Sequence, residues 1–140
     1  IVSTYGIERS MPYVETIRTM LREVALGKIP SGYSLGSVRG ARNIPSCKQP
    51  GLAFDFLNGQ RLTGHNLDIY VGTAKNITKE TIIFEETSCG NWGAAAVATW
   101  PLHVLNPGQS TEVYVVMKEA RKIIEAPERP YLIRPQFNNR

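Results

Sequence analysis

The side chains with the greatest chemical reactivity are few: the cysteines Cys47 and Cys89, and the histidines His65 and His103. A cysteine beside a histidine can form a nucleophilic pair, and all four side chains carry donor atoms that zinc prefers. None of them stands in a CxxC or CxxH cluster, and no catalytic signature surrounds either cysteine. We therefore expect neither catalysis nor a metal site, with His65 solvated in a loop and His103 at an edge or in the core.

The two cysteines allow one intrachain disulfide. In an oxidising compartment Cys47 and Cys89 would pair, and closing that loop would stabilise the fold by about 4 kcal/mol on the chain-entropy model. In a reducing cytosol the same residues would be two buried thiols. The compartment decides between the two.

Other short motifs carry little weight. The phosphate-cradling patterns GxGxxG and GxxxxGK[ST] are absent from the sequence. Asn76-Ile77-Thr78 fits the N-glycosylation pattern, which matters only in a eukaryotic secreted chain. Tyr70, Trp92 and Trp100 could line a sugar platform, although core or interface use is the commoner role of such aromatics. The search for chemistry therefore favours an interaction module.

Bulk composition indicates one globular domain. The 140 residues are 42% hydrophobic with a net charge of +4. That length supports a sizeable core, and the basic residues are scattered, so nucleic-acid binding is not favoured. No apolar run approaches the ~20 residues of a membrane helix. The chain starts at Ile1 without a signal-peptide pattern, and we expect a processed form or a fragment of a longer protein.

One amphipathic helix is predicted over residues 11–26. Ser10 can cap its start, Gly27 suits its end, and Pro30 forbids its continuation. Spacings of three and four place the apolar side chains on one face: Val14, Ile17, Met20, Leu21 and Val24. The opposite face is polar, and we expect Arg18, Arg22 and Glu23 on it to be candidate partner contacts.

The rest of the domain reads as strands and turns. The segment 52–57 is a strand, with Asn58-Gly59 as a hairpin turn that would let Gln60 to Thr63 pair back. Asn106-Pro107-Gly108 is another turn, preceding a last, central strand. Further strands are predicted at 66–74, 81–85, 92–100 and 111–117. Closely spaced strands without alternating helices predict a mainly β fold, an antiparallel, Ig-like β-sandwich with the helix over one end or edge.

The predicted domain organisation has three parts. Residues 1–9 are an extended lead-in, 10–122 are the β-sandwich domain with its helix, and 123–140 are an extended, proline-rich tail. Three prolines rule out a regular helix or a central strand in the tail. Four of its side chains are too apolar for a free tail, so we expect docking on this domain or on a neighbour by Tyr131, Leu132, Ile133 and Phe137.

The order of several motifs resembles the C-terminal domain of the TraK family, from the core complex of F-type conjugative type IV secretion systems. The resemblance spans about residues 4–122, and no single motif is specific. It is carried by 12–13 (PY), 27–33 (GKIPSGY), 63–67 (TGHNL), 76–86 (NITKETIIFEE) and 112–116 (EVYVV). Cys47, Cys89 and the tail have no place in the family pattern, and Tyr33 stands where a tryptophan is expected.

The resemblance implies a structural subunit rather than an enzyme. Such a subunit would join a TraB-type scaffold protein and a TraV-type lipoprotein in a periplasmic ring at the bacterial outer membrane. The ring would support DNA transfer and pilus biogenesis, without a cofactor and without direct contact with nucleic acid. The alternative is a secreted Ig-like ligand-binding or adhesion module that exposes Tyr70, Trp92 or Trp100.

The cysteine pairing gives a direct test. If Cys47 and Cys89 are bridged, the intact mass should rise by about 2 Da on reduction, because two sulfur atoms each gain a hydrogen. Mass spectrometry of the unalkylated protein with and without reductant checks this. An unchanged mass would mean that both residues are thiols.

Overall fold

The computed structural model describes residues 13–41, 44–90, 94–118 and 132. Within them, a five-stranded antiparallel sheet has the order β1-β2-β3-β7-β5, and β4 pairs with β6 in a two-stranded sheet. A 3-10 turn, Glu86–Cys89, precedes β5. The other elements are α1 Tyr13–Ala25, β1 Ser34–Ser37, β2 Leu52–Thr63, β3 Leu67–Asn76, β4 Ile82–Ile83, β5 Ala94–Trp100, β6 Val104–Leu105 and β7 Ser110–Lys118.

The central strands β3 and β7 are buried on both faces of the sheet. They pair in continuous register from Leu67 opposite Lys118 to Lys75 opposite Ser110. Side chains alternate across a strand, so each strand supplies two separate cores. One core lies on the helix side and holds Ile69, Val71, Tyr114 and Val116. The other lies on the opposite face and holds Tyr70, Ala74, Val113, Val115 and Met117.

Helix α1 covers the first of these cores. Ile17, Met20 and Val24 are buried against the sheet, together with Tyr33 from the following loop. The helix ends in a Schellman motif, in which Lys28 N–H donates to the Glu23 carbonyl and Gly27 N–H donates to the Val24 carbonyl, both at 2.9 Å. Gly27 has the positive φ of 81° that this ending requires. The cap at Ser10 lies outside the described residues.

The buried face of the helix differs from the predicted one. Val14 is 61% exposed, whereas Thr16 is only 1% exposed. Each residue turns the helix by about 100°, so a stripe centred on Ile17, Met20 and Val24 reaches Thr16 before it reaches Val14. The prediction for Val14 was therefore wrong, and Leu21 lies half-buried at the margin.

The opposite face of the sheet is covered by the β4–β6 ribbon and the loop before β2. Phe84 and Leu105 come from the ribbon side, and the loop contributes Val38 and Cys47 to the same core. A disulfide joins Cys47 to Cys89 with the Cα atoms 4.2 Å apart, and Lys48 N–H donates to the Ser88 carbonyl beside it. The loop is thereby fixed over the core.

Strand β2 does not turn back at Asn58-Gly59, so that prediction was wrong. The strand runs on to Thr63, with a register irregularity between Asp55 and Gln60 where it pairs with β3. The Asp55 carboxylate accepts hydrogen bonds from the Asn58 backbone N–H at 3.2 Å and from its side-chain amide at 2.9 Å. These bonds lower the pKa of Asp55 below its ordinary value. Asn58-Gly59 therefore marks a bulge within one strand.

The fold class is confirmed: mainly β, with antiparallel sheets and one helix near the N-terminal side of the described chain. β7 is central and buried, as its β-branched residues predicted. A small second sheet over one face is compatible with a sandwich, and an Ig-like arrangement stays a prediction. The lead-in 1–9 and, apart from Leu132, the tail 123–140 lie outside the described residues.

Because of the bulge, we expect the effect of one added methyl group on the stability of the fold to depend strongly on its position in the sheet. Replacing Gly59→Ala should destabilise the fold by roughly 3 kcal/mol, because the new Cβ would overlap the backbone carbonyl of Val71. Gly36→Ala is the matched control in the same sheet, since the nearest atom to its Cβ is the Arg61 carbonyl oxygen at 3.9 Å. Urea unfolding of both variants checks this, and equal midpoints would contradict it.

Candidate protein–protein interface

The described residues do not assemble a nucleophilic or metal centre. Cys47 and Cys89 are joined to each other. His103 lies at the surface with its ring 6.3 Å from that of Phe84, and His65 is exposed in the turn before β3. No group of three or more His, Cys, Asp or Glu side chains that could hold a metal ion occurs among the described residues.

Among the described residues, Tyr70 cannot contribute to the platform that the adhesion alternative needs. It is only 2% exposed and lies in the core, the role that was favoured for it over a sugar platform. Alternation along β3 places Tyr70 on the face of the sheet opposite the helix, where it lies in the core. Trp92 lies outside the described residues. Trp100 is 53% exposed at the end of β5.

Asn76 is a structural residue and not a glycosylation site. It is 1% exposed, and its Nδ2 donates to the carbonyls of Glu80 at 2.7 Å and Leu105 at 2.9 Å. Its Oδ1 accepts from the N–H and the hydroxyl of Thr78, at 2.8 and 2.7 Å. These four bonds use the hydrogen-bonding capacity of the amide and tie β3, the next turn and β6 together.

The polar face of α1 is displayed as expected. Arg22 is exposed, Glu23 is half-buried, and Arg18 forms an exposed ion pair with Glu15 at 3.1 Å. An exposed pair of this kind contributes little to stability. These side chains are therefore available for contact with another protein, although nothing in the fold itself assigns them a partner.

An ion pair that no sequence pattern predicted lies between the end of β2 and the start of β3. Arg61 donates to Asp68 at 2.9 Å, and the Arg61 guanidinium lies 5.8 Å from the centre of the Tyr70 ring. Asp68 is 4% exposed. Burial makes such a pair costly to break, because removing one partner leaves a charge without compensation. Arg61 and Asp68 are seven residues apart in sequence, and this spacing does not predict an ion pair unless the strand register is known.

Both outer strands of the five-stranded sheet pair on one side only in the described residues. At one edge, β1 has four residues that are all exposed. At the other, β5 has seven residues, of which six are half-buried and Trp100 is exposed. An open edge carries backbone groups that can bond to another chain. Within the described part of the chain, these edges and the polar helix face are surfaces that can recognise protein.

None of the helices in the described part of the chain has the length and apolar character needed to cross a lipid bilayer.

The fold and its surfaces define a mainly β domain whose exposed features suit protein–protein contact. The model of the TraK C-terminal domain matches residues 5–117, which is most of the chain. The chain belongs to the TraK C-terminal domain family.

A curated relative is a type 3 secretion system secretin from Pseudomonas syringae pv. syringae. It is 27% identical over 126 residues, which cover 89% of this chain but 18% of the secretin. The chain thus spans less than a fifth of the length of that relative.

The Asn76 network predicts a large effect of an isosteric change. Asn76→Asp should cost roughly 3 kcal/mol or more near neutral pH, because two donors are lost and a carboxylate then faces the Glu80 and Leu105 carbonyls. Burial raises the pKa of the introduced carboxyl above its unfolded value. The loss relative to wild type should therefore be smallest below about pH 4 and grow as pH rises.

Asn106→Asp is the control for this substitution. Asn106 is exposed, and its Oδ1 accepts from the Thr81 hydroxyl at 3.0 Å, a bond that a carboxylate keeps. Chemical unfolding across pH compares the two variants. A similar small cost for both would show that the Asn76 donors do not matter.

Proposed function

We propose that this chain is a structural subunit of a ring-shaped outer-membrane complex in a conjugative type IV secretion system. Membership of the TraK C-terminal domain family is the observation that carries the proposal. The curated relative, a type 3 secretion system secretin, is by its name also a component of a secretion machine. The chain would act by position, as part of a conduit for DNA transfer and pilus biogenesis.

The arrangement of the domain supports a structural role. The reactive sulfur atoms are joined in a disulfide, and the polar network around Asn76 serves the fold. Disulfides persist in oxidising compartments such as the bacterial periplasm, which agrees with a periplasmic location at the outer membrane. A disulfide and a core covered on both faces make a rigid unit that can be built into a larger assembly.

The partners in this proposal are a TraB-type scaffold protein and a TraV-type lipoprotein. The polar face of α1 is one candidate contact, with Arg18 and Arg22 exposed and Glu23 beside them. The other candidate contact is the apolar group Tyr131, Leu132, Ile133 and Phe137 of the tail; Leu132 is 96% exposed, and the other three lie outside the described residues. The adhesion alternative loses Tyr70, which is buried, and keeps Trp100, which is exposed at the end of β5.

Charge reversal on the helix tests the first contact. Arg22→Glu in the full-length protein should reduce the amounts of the scaffold protein and lipoprotein that co-purify from solubilised membranes several-fold, because like-charge contacts oppose association. Lys79→Glu makes the same charge change in the exposed turn after β3 and should leave capture unchanged. Quantitative mass spectrometry of the purified material measures the captured scaffold protein and lipoprotein for both variants. Equal capture by the two variants would remove the helix face from the proposal, and absence of both partners from the wild-type material would remove the proposal itself.

A further inference from the structure

Within the described residues, the outer edge of β5 is unpaired, as is the outer edge of β1 on the other side of the sheet. Ala94 to Trp100 pair with β7 along one side, and within the described residues they make no other backbone hydrogen bonds. In an antiparallel edge strand alternate residues direct their N–H and C=O groups away from the sheet, which gives about three such residues here. These groups form a template for one more strand.

Strand β5 has one device that can protect an edge, a register irregularity between Ala94 and Ala96, but from Ala96 to Trp100 its pairing with β7 is regular. Its sequence, AAAVATW, contains no charge, no proline and no glycine. Natural edges are commonly blunted by lysine, by proline or by being very short. The other edge, β1, is short, with four exposed residues that include Gly36. β5 is therefore the edge that is suited to pairing.

The same chain carries a segment suited to such an edge. Tyr131-Leu132-Ile133-Arg134 is rich in strand-forming residues and lies between Pro130 and Pro135. Flanking prolines are compatible with an added edge strand, where half of the backbone N–H groups need no partner, and incompatible with a central one. Leu132 is 96% exposed, so this apolar side chain is not buried by its own domain.

We propose that β5 of one copy accepts residues 131–134 of a second copy as an added strand. The main-chain bonds would supply affinity, and alternate apolar side chains would pack beside the half-buried side chains of β5. Donor and acceptor are different surfaces, so the contact is head-to-tail, and such contacts close into rings or extend into filaments. The inference rests on the proposed ring assembly and makes it more specific. The contact itself needs only copies of this chain, so it can be measured on the purified protein.

Sedimentation velocity of the 140-residue chain at increasing concentration tests the contact. The wild type should form species with a mass above the 15.6 kDa of one chain. Thr99→Lys places a charge on β5 at a half-buried position that pairs with Val113, and Leu132→Asp removes the apolar donor side chain; each should abolish association. Thr73→Lys is the matched control, because it makes the same substitution at an exposed position on an internal strand. It should associate as the wild type does.

Mixing the two defective variants gives the sharpest result. The Thr99→Lys chain keeps its donor and the Leu132→Asp chain keeps its acceptor, so the mixture should form one productive junction and stop at about twice the 15.6 kDa mass. Either variant alone should stay at the mass of one chain. Hydrogen exchange of the wild type should show slower exchange in Ala94–Trp100 as concentration rises, which checks the edge without any substitution.

Three outcomes would overturn the proposal. A wild type that stays monomeric at all concentrations would mean that no copy donates to another. Association that survives Leu132→Asp but not Thr99→Lys would indicate pairing of β5 with β5. A mixture that fails to form the heterodimer, with both variants folded by circular dichroism, would exclude the head-to-tail contact. The measurement uses one purified protein, so its failure and a failure to capture the scaffold protein and lipoprotein are separate results.

Discussion

The pairing of β3 with β7 is the constraint on which the rest of the molecule depends. Nine residue pairs run without a register shift from Leu67 and Lys118 to Lys75 and Ser110. The side chains on both faces of these strands lie in apolar surroundings, so both faces of the sheet must be covered. The helix covers one face, and the β4–β6 ribbon with the disulfide-bound loop covers the other. The helix stop signals, the Asn76 network and the Cys47–Cys89 bridge all serve to place those covers.

Much of this arrangement could be predicted from local sequence, because several signals act over a few residues. Gly27 and Pro30 end the helix, Asn106-Pro107-Gly108 makes the turn before β7, and the run of valine and tyrosine at 113–116 indicates a buried strand. Each signal rests on backbone conformation or side-chain alternation that needs no distant partner. The helix and the main strands follow from these signals.

The features that could not be predicted depend on residues far away in sequence. Asn58-Gly59 has the composition of a hairpin turn, but pairing with β3 keeps the strand running and draws Gly59 against the Val71 carbonyl. The choice between Val14 and Thr16 as the buried helix residue is made by the sheet surface beneath. The Arg61–Asp68 pair exists only because β2 and β3 lie in one particular register. The candidate contact residues on α1 and the tail had a weaker basis still, since exposure permits contact without specifying a partner.

The structure describes a mainly β domain whose sheet is covered on both faces, and we propose that this domain holds neighbouring subunits in place. Electron microscopy of particles purified from membranes through the full-length protein tests this account most directly. The account predicts closed rings that contain many copies of the chain together with other secretion-system proteins. Isolated single copies, in preparations where the secretion complex itself is intact, would contradict it.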